Sequence, residues 1–243
     1  MPSAAALAVL QQHYKGQRGV KLLTREKTLP NADKAYMAYA TNADLPGGNN
    51  NYDFLGAAFT SNASGNQVVS IVSDAGYSSG NQPSAPETIA AIKQKYGEPS
   101  STTEGDIMLT MHYGYRDGKV LTIDRACSGL TRLNRISLRN ADVLIKDQWH
   151  REMADGAESD MASNMPAEST RCDAVMYVNV GYGFSIGPDR SVVPNKKTVS
   201  QLHIVFFDAK RFRAAVERDA AAVKEFKDKA LQNAPAGKGP AKL

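Results

Sequence analysis

The stretch that decides the fold is Ala174-Val175-Met176-Tyr177-Val178-Asn179-Val180, a run of apolar, β-branched and aromatic residues that predicts a β-strand. Residues 198–207 predict a second strand of the same kind, and the Gly- and Pro-containing connection over 187–195 predicts a long hairpin between the two. Asp208 follows directly as a helix cap, and residues 210–232 carry apolar positions at helical spacing. A hairpin that leads into a capped helix indicates an antiparallel sheet covered by helices.

The earlier part of the chain predicts the same kinds of element. The helix at 85–96 has the clearest signals, because Ser84 and Glu87 have capping-box spacing and Gly97 and Pro99 end the helix. Hairpins outnumber crossovers, so the predicted fold class is α+β, a mostly antiparallel sheet built from hairpins with two or three packed helices. Further strands are expected at 20–25, 35–40, 54–60, 68–73, 107–115 and 119–123, and further helices at 3–14 and 137–153.

Length and charge limit the organisation of the chain. Its 243 residues predict a single α+β domain over 1–233, with a division into two lobes near 127–172 left open, and a flexible basic tail over 234–243. No run approaches the roughly 18 apolar residues that a membrane helix needs. The net charge is +4, and residues 208–243 hold nine basic and five acidic residues, so the excess belongs to one helix and the tail. We therefore expect no nucleic-acid partner, since such proteins usually show a clustered basic face.

Cys127 and Cys172 are the only cysteines, so they are either two buried thiols of a cytosolic protein or one intramolecular disulfide. Neither has a histidine within five residues and no Cys-x-x-Cys pair occurs, so no metal site is predicted. No cofactor is predicted either. The first ten residues lack the basic region and apolar length of a secretory signal, which argues for the cytosol. A mature chain whose leader has been removed would begin in the same way.

Two strand histidines are the candidates for catalysis. His112 and His203 alternate with apolar neighbours, so each is expected to point away from the core, and the two could share one exposed sheet face. There they could form a hydrolytic site with Asp106 or Asp124 as the carboxylate. No nucleophile elbow and no phosphate-binding loop is complete in the sequence, so no catalytic residue is assigned.

Aromatic and amide side chains suggest a binding surface. Such side chains stack on and hydrogen-bond to glycans and peptides. The competing interpretation is that strand tyrosines simply suit a half-buried pleated surface. The candidate surface consists of Asn49, Asn50, Asn51, Tyr52, Trp149 and Tyr182.

Residues 84–100, Ser-Ala-Pro-Glu-Thr-Ile-Ala-Ala-Ile-Lys-Gln-Lys-Tyr-Gly-Glu-Pro-Ser, resemble a segment of uncharacterised exported proteobacterial proteins. In those proteins a strand, a helix ending in Tyr-Gly-x-Pro and a second strand form a small sheet module. The stretch from Cys172 through two strands to the Asp208 helix is similar to their closing half. The resemblance implies a periplasmic or secreted protein and, with it, a Cys127–Cys172 disulfide, which would stabilise the fold by about 4 kcal/mol. It implies no activity.

These observations favour a non-enzymatic, exported binding or accessory protein that contacts a protein or an envelope polymer such as a glycan. One alternative is a hydrolase that uses the strand histidines and a nearby carboxylate. Another is a protein inhibitor or immunity partner, whose contact surface would be the loops near Asn50 and Ser163. A cytoplasmic location is the alternative to export, and the oligomeric state is left open.

Overall fold

The computed structural model describes residues 1–15, 22–29, 34–42, 51–122 and 172–233. These residues form three helices and one sheet in which every strand pairing is antiparallel, which confirms the predicted α+β class. The helices are α1 (Ser3–Tyr14), α2 (Ala85–Tyr96) and α3 (Ala209–Gln232). The strands are β1 (Leu22–Thr28), β2 (Ala35–Asn42), β3 (Tyr52–Phe59), β4 (Val68–Gly76), β5 (Ser101–Glu104), β6 (Met108–Arg116), β7 (Lys119–Val120), β8 (Ala174–Ile186) and β9 (Val192–Phe207).

The sheet joins the two halves of the chain side by side. Its order is β1-β2-β3-β4-β9-β8-β6-β5, with β7 paired to β6. The meander β1 to β4 therefore meets the last strand of the chain, β9, at the centre. The single domain over 1–233 and its division into two lobes stay predictions. The expected helix at 137–153 and the tail at 234–243 lie outside the described residues.

The ends of the helices follow the sequence signals. The Ser84 side chain accepts a hydrogen bond from the Glu87 amide. Gly97 ends α2 with a φ of 87°, and its amide donates a hydrogen bond to the Lys93 carbonyl. Asp208 caps α3 by accepting from the Arg211 amide at 2.8 Å. These caps confirm the predicted starts of α2 and α3.

One face of the sheet, which we call the α2 face, packs against α1 and α2. Ile92 of α2 is buried against strand residues, and Leu10 of α1 is buried at the other end of the same face. The strand residues that form the main cluster under α2 are Leu109, Met111, Tyr113, Met176, Val178, Val180, Tyr182 and Val199.

The opposite face, which we call the Asp74 face, is also buried, and here the prediction of an exposed sheet face is wrong. Phe54, Val72, Val175, Tyr177 and Val205 all lie on it and are at most 5% exposed. At one end α3 packs on this face, where the rings of Phe207 and Phe212 are 5.4 Å apart. Residues 68–72 of β4, 174–180 of β8 and 202–207 of β9 are thus packed on both sides, which explains why these stretches are mostly apolar.

The hairpin between β8 and β9 is longer than the sequence indicates. Residues 187–195 are expected to connect two strands that end at 180 and begin at 198, but β8 continues to Ile186 and β9 begins at Val192. No other described strand pairs with the two strands beyond Gly181 and Gln201. We call this two-stranded extension, residues 183–195, the β-arm. In the β8 half of the β-arm, Gly-Phe-Ser-Ile, small and apolar residues alternate, and residues 184–186 are exposed on both faces of the ribbon.

The predicted core face of α3 is only partly buried. Ala209 and Ala215 are buried, whereas Val216 and Phe226 are each 37% exposed. The helix is 24 residues long and contacts the sheet through its first turns, so its later apolar positions extend beyond the strands.

Candidate functional site

A row of polar side chains crosses the centre of the Asp74 face. Thr110 of β6, Asn179 of β8, His203 of β9 and Asp74 of β4 are direct cross-strand neighbours. Thr110, His203 and Asp74 are at most 9% exposed. Buried polar groups are costly unless they are hydrogen-bonded, so such a row in the middle of a sheet is a candidate functional site.

Asp74 is the best-connected member of this polar row. Tyr52 donates its hydroxyl hydrogen to Asp74 Oδ1 at 3.2 Å, and the Gln201 amide donates to both carboxylate oxygens at 3.1 and 3.2 Å. The Tyr52 ring reaches Asp74 by crossing over Gly76, where a Cβ would lie 2.2 Å from ring atom Cε1. Burial, followed by the charge of Asp74, raises the pKa of Tyr52, so this hydroxyl stays protonated and donates.

The two histidines share a face but do not form one site. His203 Nδ1 is 3.6 Å from Asp74 Oδ2, and within the described part of the chain neither this nitrogen nor Asn179 Oδ1 has a hydrogen-bond partner. His112 lies two strands away, with its ring edge-on to Tyr177 at 4.8 Å.

The carboxylate beside His203 is Asp74, which the sequence did not single out. Of the two expected carboxylates, Asp106 is exposed in the turn before β6, and Asp124 lies outside the described residues. A signal for Asp74 was present, because it follows Val72 at the two-residue spacing of a strand that continues past residue 73.

The members of the predicted binding surface lie in different places. Tyr52 lies on the Asp74 face, whereas Tyr182 is 5% exposed and packs on the α2 face. Asn51 is exposed, and its side-chain oxygen accepts from the Ser78 amide. Asn49, Asn50 and Trp149 lie outside the described residues. The two tyrosines therefore do not share a surface on which a single glycan or peptide could stack.

The predicted Cys127–Cys172 disulfide involves Cys127, which lies outside the described residues. Cys172 itself is fully buried. Its carbonyl oxygen accepts from Arg213 of α3 at 3.3 Å. The bridge stays a prediction.

The β-arm gathers exposed apolar side chains. Phe184 and Ile186 of β8 are 58% and 70% exposed, and their direct cross-strand partners are Pro194 and Val192. Directly paired residues of an antiparallel ribbon share a face, so these four residues form one apolar surface, which we call the arm face. Six of the eleven exposed large apolar side chains in the described ranges lie on the β-arm or at the adjacent start of β6: Ile107, Met108, Phe184, Ile186, Val192 and Val193.

The base of the β-arm is held on two sides. On one side the Lys196 ammonium lies 2.9 Å from Glu104 of β5, which also accepts from the Tyr182 hydroxyl at 3.2 Å. The hydrogen bond to Lys196 is the main cause that lowers the pKa of Glu104 and keeps it ionised. On the other side Thr198 donates to the Gln82 side chain at 2.8 Å. The β-arm is therefore fixed in direction where it leaves the sheet.

A surface groove of about 300 Å³ lies beside the start of α3. Lys210, Arg211 and Arg218 line it together with Asp208. Arg211 is already bound to the Val68 carbonyl and to Asp208, and Lys210 lies 3.7 Å from Asp173. Two of the three cationic side chains are therefore already paired within the protein, which argues against the groove as an anion-binding site.

Two further features are absent from the described ranges. No three His, Cys, Asp or Glu side chains lie close enough together to hold a metal ion. None of the described helices has the length and apolar character needed to cross a membrane.

Comparison of the chain with protein families, with curated proteins and with solved structures finds no match.

Proposed function

We propose that this chain is a non-enzymatic, exported binding or accessory protein that contacts a partner protein through the arm face. The observation that carries the proposal is the concentration of exposed apolar side chains on the β-arm, led by Ile186 at 70% and Phe184 at 58%. Contiguous exposed apolar patches on monomeric proteins mark sites of interaction. A protein is a better partner than a glycan, because the arm face offers aliphatic and aromatic carbon and no side-chain hydrogen-bonding group.

The anchored base supports this proposal. Glu104 with Lys196 on one side, and Gln82 with Thr198 on the other, hold the β-arm before a partner arrives. A surface that is already ordered loses less conformational entropy on binding. A rigid ribbon with an apolar face therefore suits the capture of a partner better than a flexible loop of the same composition would.

Export is the second part of the proposal, and the Cys127–Cys172 disulfide is its chemical support. The resemblance of residues 84–100 to exported proteins and the burial of Cys172 agree with it. The intact mass of denatured protein, alkylated with and without prior reduction, tests the bridge. We expect two alkyl groups only after reduction, whereas alkylation of both cysteines without reduction would leave the cytoplasmic alternative.

Quantitative co-purification from the cells that naturally produce the protein tests the arm face. The arm variant is Phe184→Ser/Ile186→Ser, and the matched control is Val216→Ser/Leu231→Ser, which removes two exposed apolar side chains from α3. We expect a stoichiometric partner with the wild type and with the control, and its loss with the arm variant. A partner retained equally by both variants, or no partner above background, would overturn the proposal.

Hydrolysis is the second candidate function, and the buried Asp74–His203 pair favours it. A carboxylate beside one imidazole nitrogen is the arrangement that orients a general base. It ranks second because no serine, threonine or cysteine among the described residues is a hydrogen-bonded neighbour of His203. Turnover of ester or peptide substrates that disappears in His203→Ala and persists in His112→Ala would establish this alternative.

A further inference from the structure

Among the described residues, nothing pairs with the backbone groups on the outer edge of β8 in the β-arm. The Tyr182 amide donates outward to the Ile107 carbonyl at 2.8 Å, which is the last bond between β8 and the β6 side. Beyond the register shifts at Tyr182, the Gly187 amide donates inward to the Ser191 carbonyl at 2.8 Å. Backbone groups alternate in direction along a strand, so the amides and carbonyls of Phe184 and Ile186 point outward. Pro194, which has no amide hydrogen, lies directly opposite Phe184, as this alternation requires. No described strand continues on that side, so residues 183–186 present an open strand edge.

This edge differs from the other strand edges of the described sheet in its lack of protection. Natural edge strands are often protected by charge or by proline. Strand β1 contains charged residues at 25–27, β5 ends in Glu104, and the outer edge of β9 carries Pro194, Lys196 and Lys197. The β8 edge, Gly-Phe-Ser-Ile, has neither charge nor proline. Such an edge is suited to accept another strand.

We infer that the β8 edge pairs with the same edge of a second copy of this chain. In an antiparallel pairing about a two-fold axis at Ser185, Phe184 of each copy lies opposite Ile186 of the other. Both residues direct their amide and carbonyl outward, so each such pair can form two hydrogen bonds. The paired residues also share a face, so the two arm faces join into one apolar surface across four strands.

The charges near the edge permit this self-association. Glu104, Asp106 and Asp189 balance Arg190, Lys196 and Lys197, so two copies meet without net repulsion. A charged partner strand would gain nothing from such a neutral edge, which favours a second copy. The contact area is small, so we expect a weak, concentration-dependent dimer with a dissociation constant on the order of tens of micromolar.

The dimer extends the proposed function, because it would double the arm face offered to a partner. It uses the strand edge, whereas partner binding uses the face, so the two can fail separately. A wild-type chain that binds its partner but stays monomeric would overturn only the inference. A wild-type chain that dimerises but binds no partner would overturn only the proposed function.

Sedimentation velocity between about 1 µM and about 1 mM tests the dimer. Ile186→Pro and Val192→Pro form a matched pair, because the two residues are cross-strand partners. The first proline removes one outward amide from the β8 edge, and the second removes one from the β9 edge. We expect Ile186→Pro to weaken the dimer about tenfold or more and Val192→Pro less than about threefold. A monomer throughout the range, or equal losses in the two variants, would overturn the inference.

A cysteine at the axis keeps the test decisive if a proline variant fails to fold. Ser185 would face its own copy, with Cβ atoms about 5 Å apart. Ser185→Cys should therefore give a disulfide-linked dimer under mild oxidation, and Ser191→Cys, an exposed position in the arm turn, should not. Equal crosslinking of the two variants would show random collision instead of the proposed register. A dimer that crosslinks at neither position would place the contact elsewhere and overturn the inference.

Discussion

The base and the tip of the β8–β9 hairpin consist of the same two strands but differ fully in burial. Val178 and Val199 at the base are 0% exposed, whereas Val192 and Val193 at the tip are 56% and 48% exposed. The base has β4 and β6 as neighbours and α2 above it, while the tip has no neighbouring strand in the described part of the chain. Valine therefore has a packing role at one end of the hairpin and is available for contact with another molecule at the other.

The largest expected effect comes from placing the same charge at the two ends. Val178→Asp buries an unpaired carboxylate, so we expect it to lower the free energy of unfolding by more than about 4 kcal/mol or to prevent folding. Val193→Asp should change it by less than about 0.5 kcal/mol, since the position is exposed. Urea denaturation measures both. Similar losses of unfolding free energy at positions 178 and 193 would mean that the tip is as tightly packed as the base.

Gly183 lies where the base becomes the β-arm, and it tests the rigidity of that junction. A Cβ there would lie 2.2 Å from Thr198 Oγ1 and 2.6 Å from Gln82 Oε1. We expect Gly183→Ala to break the Thr198–Gln82 hydrogen bond and to cost about 1–3 kcal/mol. Gly105→Ala is the control, because its Cβ would meet only the Met108 carbonyl at 3.6 Å. Equal unfolding free energies in the two variants would contradict a tight junction.

The buried base also predicts how stability changes at high pH. Burial is the main cause that raises the pKa of Tyr113 to about 12 from its ordinary value of 10. The folded state then holds this proton more tightly than the unfolded state, so stability is complete below pH 10 and falls as the pH rises toward 12. Tyr113→Phe should flatten this fall in denaturation curves. The cost at neutral pH should be small, because among the described residues the hydroxyl donates only to Met111 Sδ, at 3.9 Å. A slope unchanged in Tyr113→Phe would refute this assignment.

The smallest effect is expected at the exposed anchor of the β-arm. Glu104→Gln removes the ion pair with Lys196, and exposed ion pairs contribute little to global stability. We expect unchanged unfolding but faster amide hydrogen exchange in residues 183–195. Because the pKa of Glu104 is lowered, the wild type should show the same loosening only as the pH falls through that lowered value. If neither Glu104→Gln nor the fall in pH changes the amide exchange of residues 183–195, Glu104 does not hold the β-arm.

Local signals predicted the parts of the fold that local chemistry determines. Ser84, Gly97 and Asp208 mark the observed helix ends. The strands expected at 107–115 and 119–123 correspond to β6 and β7, and the turn between them holds Asp117 and Gly118 at positive φ. The fold class followed from these local elements. The burial of His203 could not be predicted, because it depends on strands that are distant in sequence lying side by side.

The candidate sites were harder to predict than the fold. Asp74 becomes a site residue only when β9 places His203 and Gln201 beside it, more than 120 residues away along the chain. The β-arm was missed for the opposite reason: its strands have no other partners, and Gly183 and Pro194 interrupt the apolar pattern on which strand recognition depends. Tyr182 was chosen for its type, but type does not indicate the face on which a strand residue lies.

The most direct test of the arm face is site-specific photo-crosslinking in the cells that naturally produce the protein. A photoreactive residue at position 186 samples the arm face, and one at position 231, which is 75% exposed on α3, is the control. We predict a discrete adduct with another protein from position 186 that is absent from position 231. Two results would contradict partner binding by the arm face: position 186 gives only this chain's own dimer, or both positions give the same adduct.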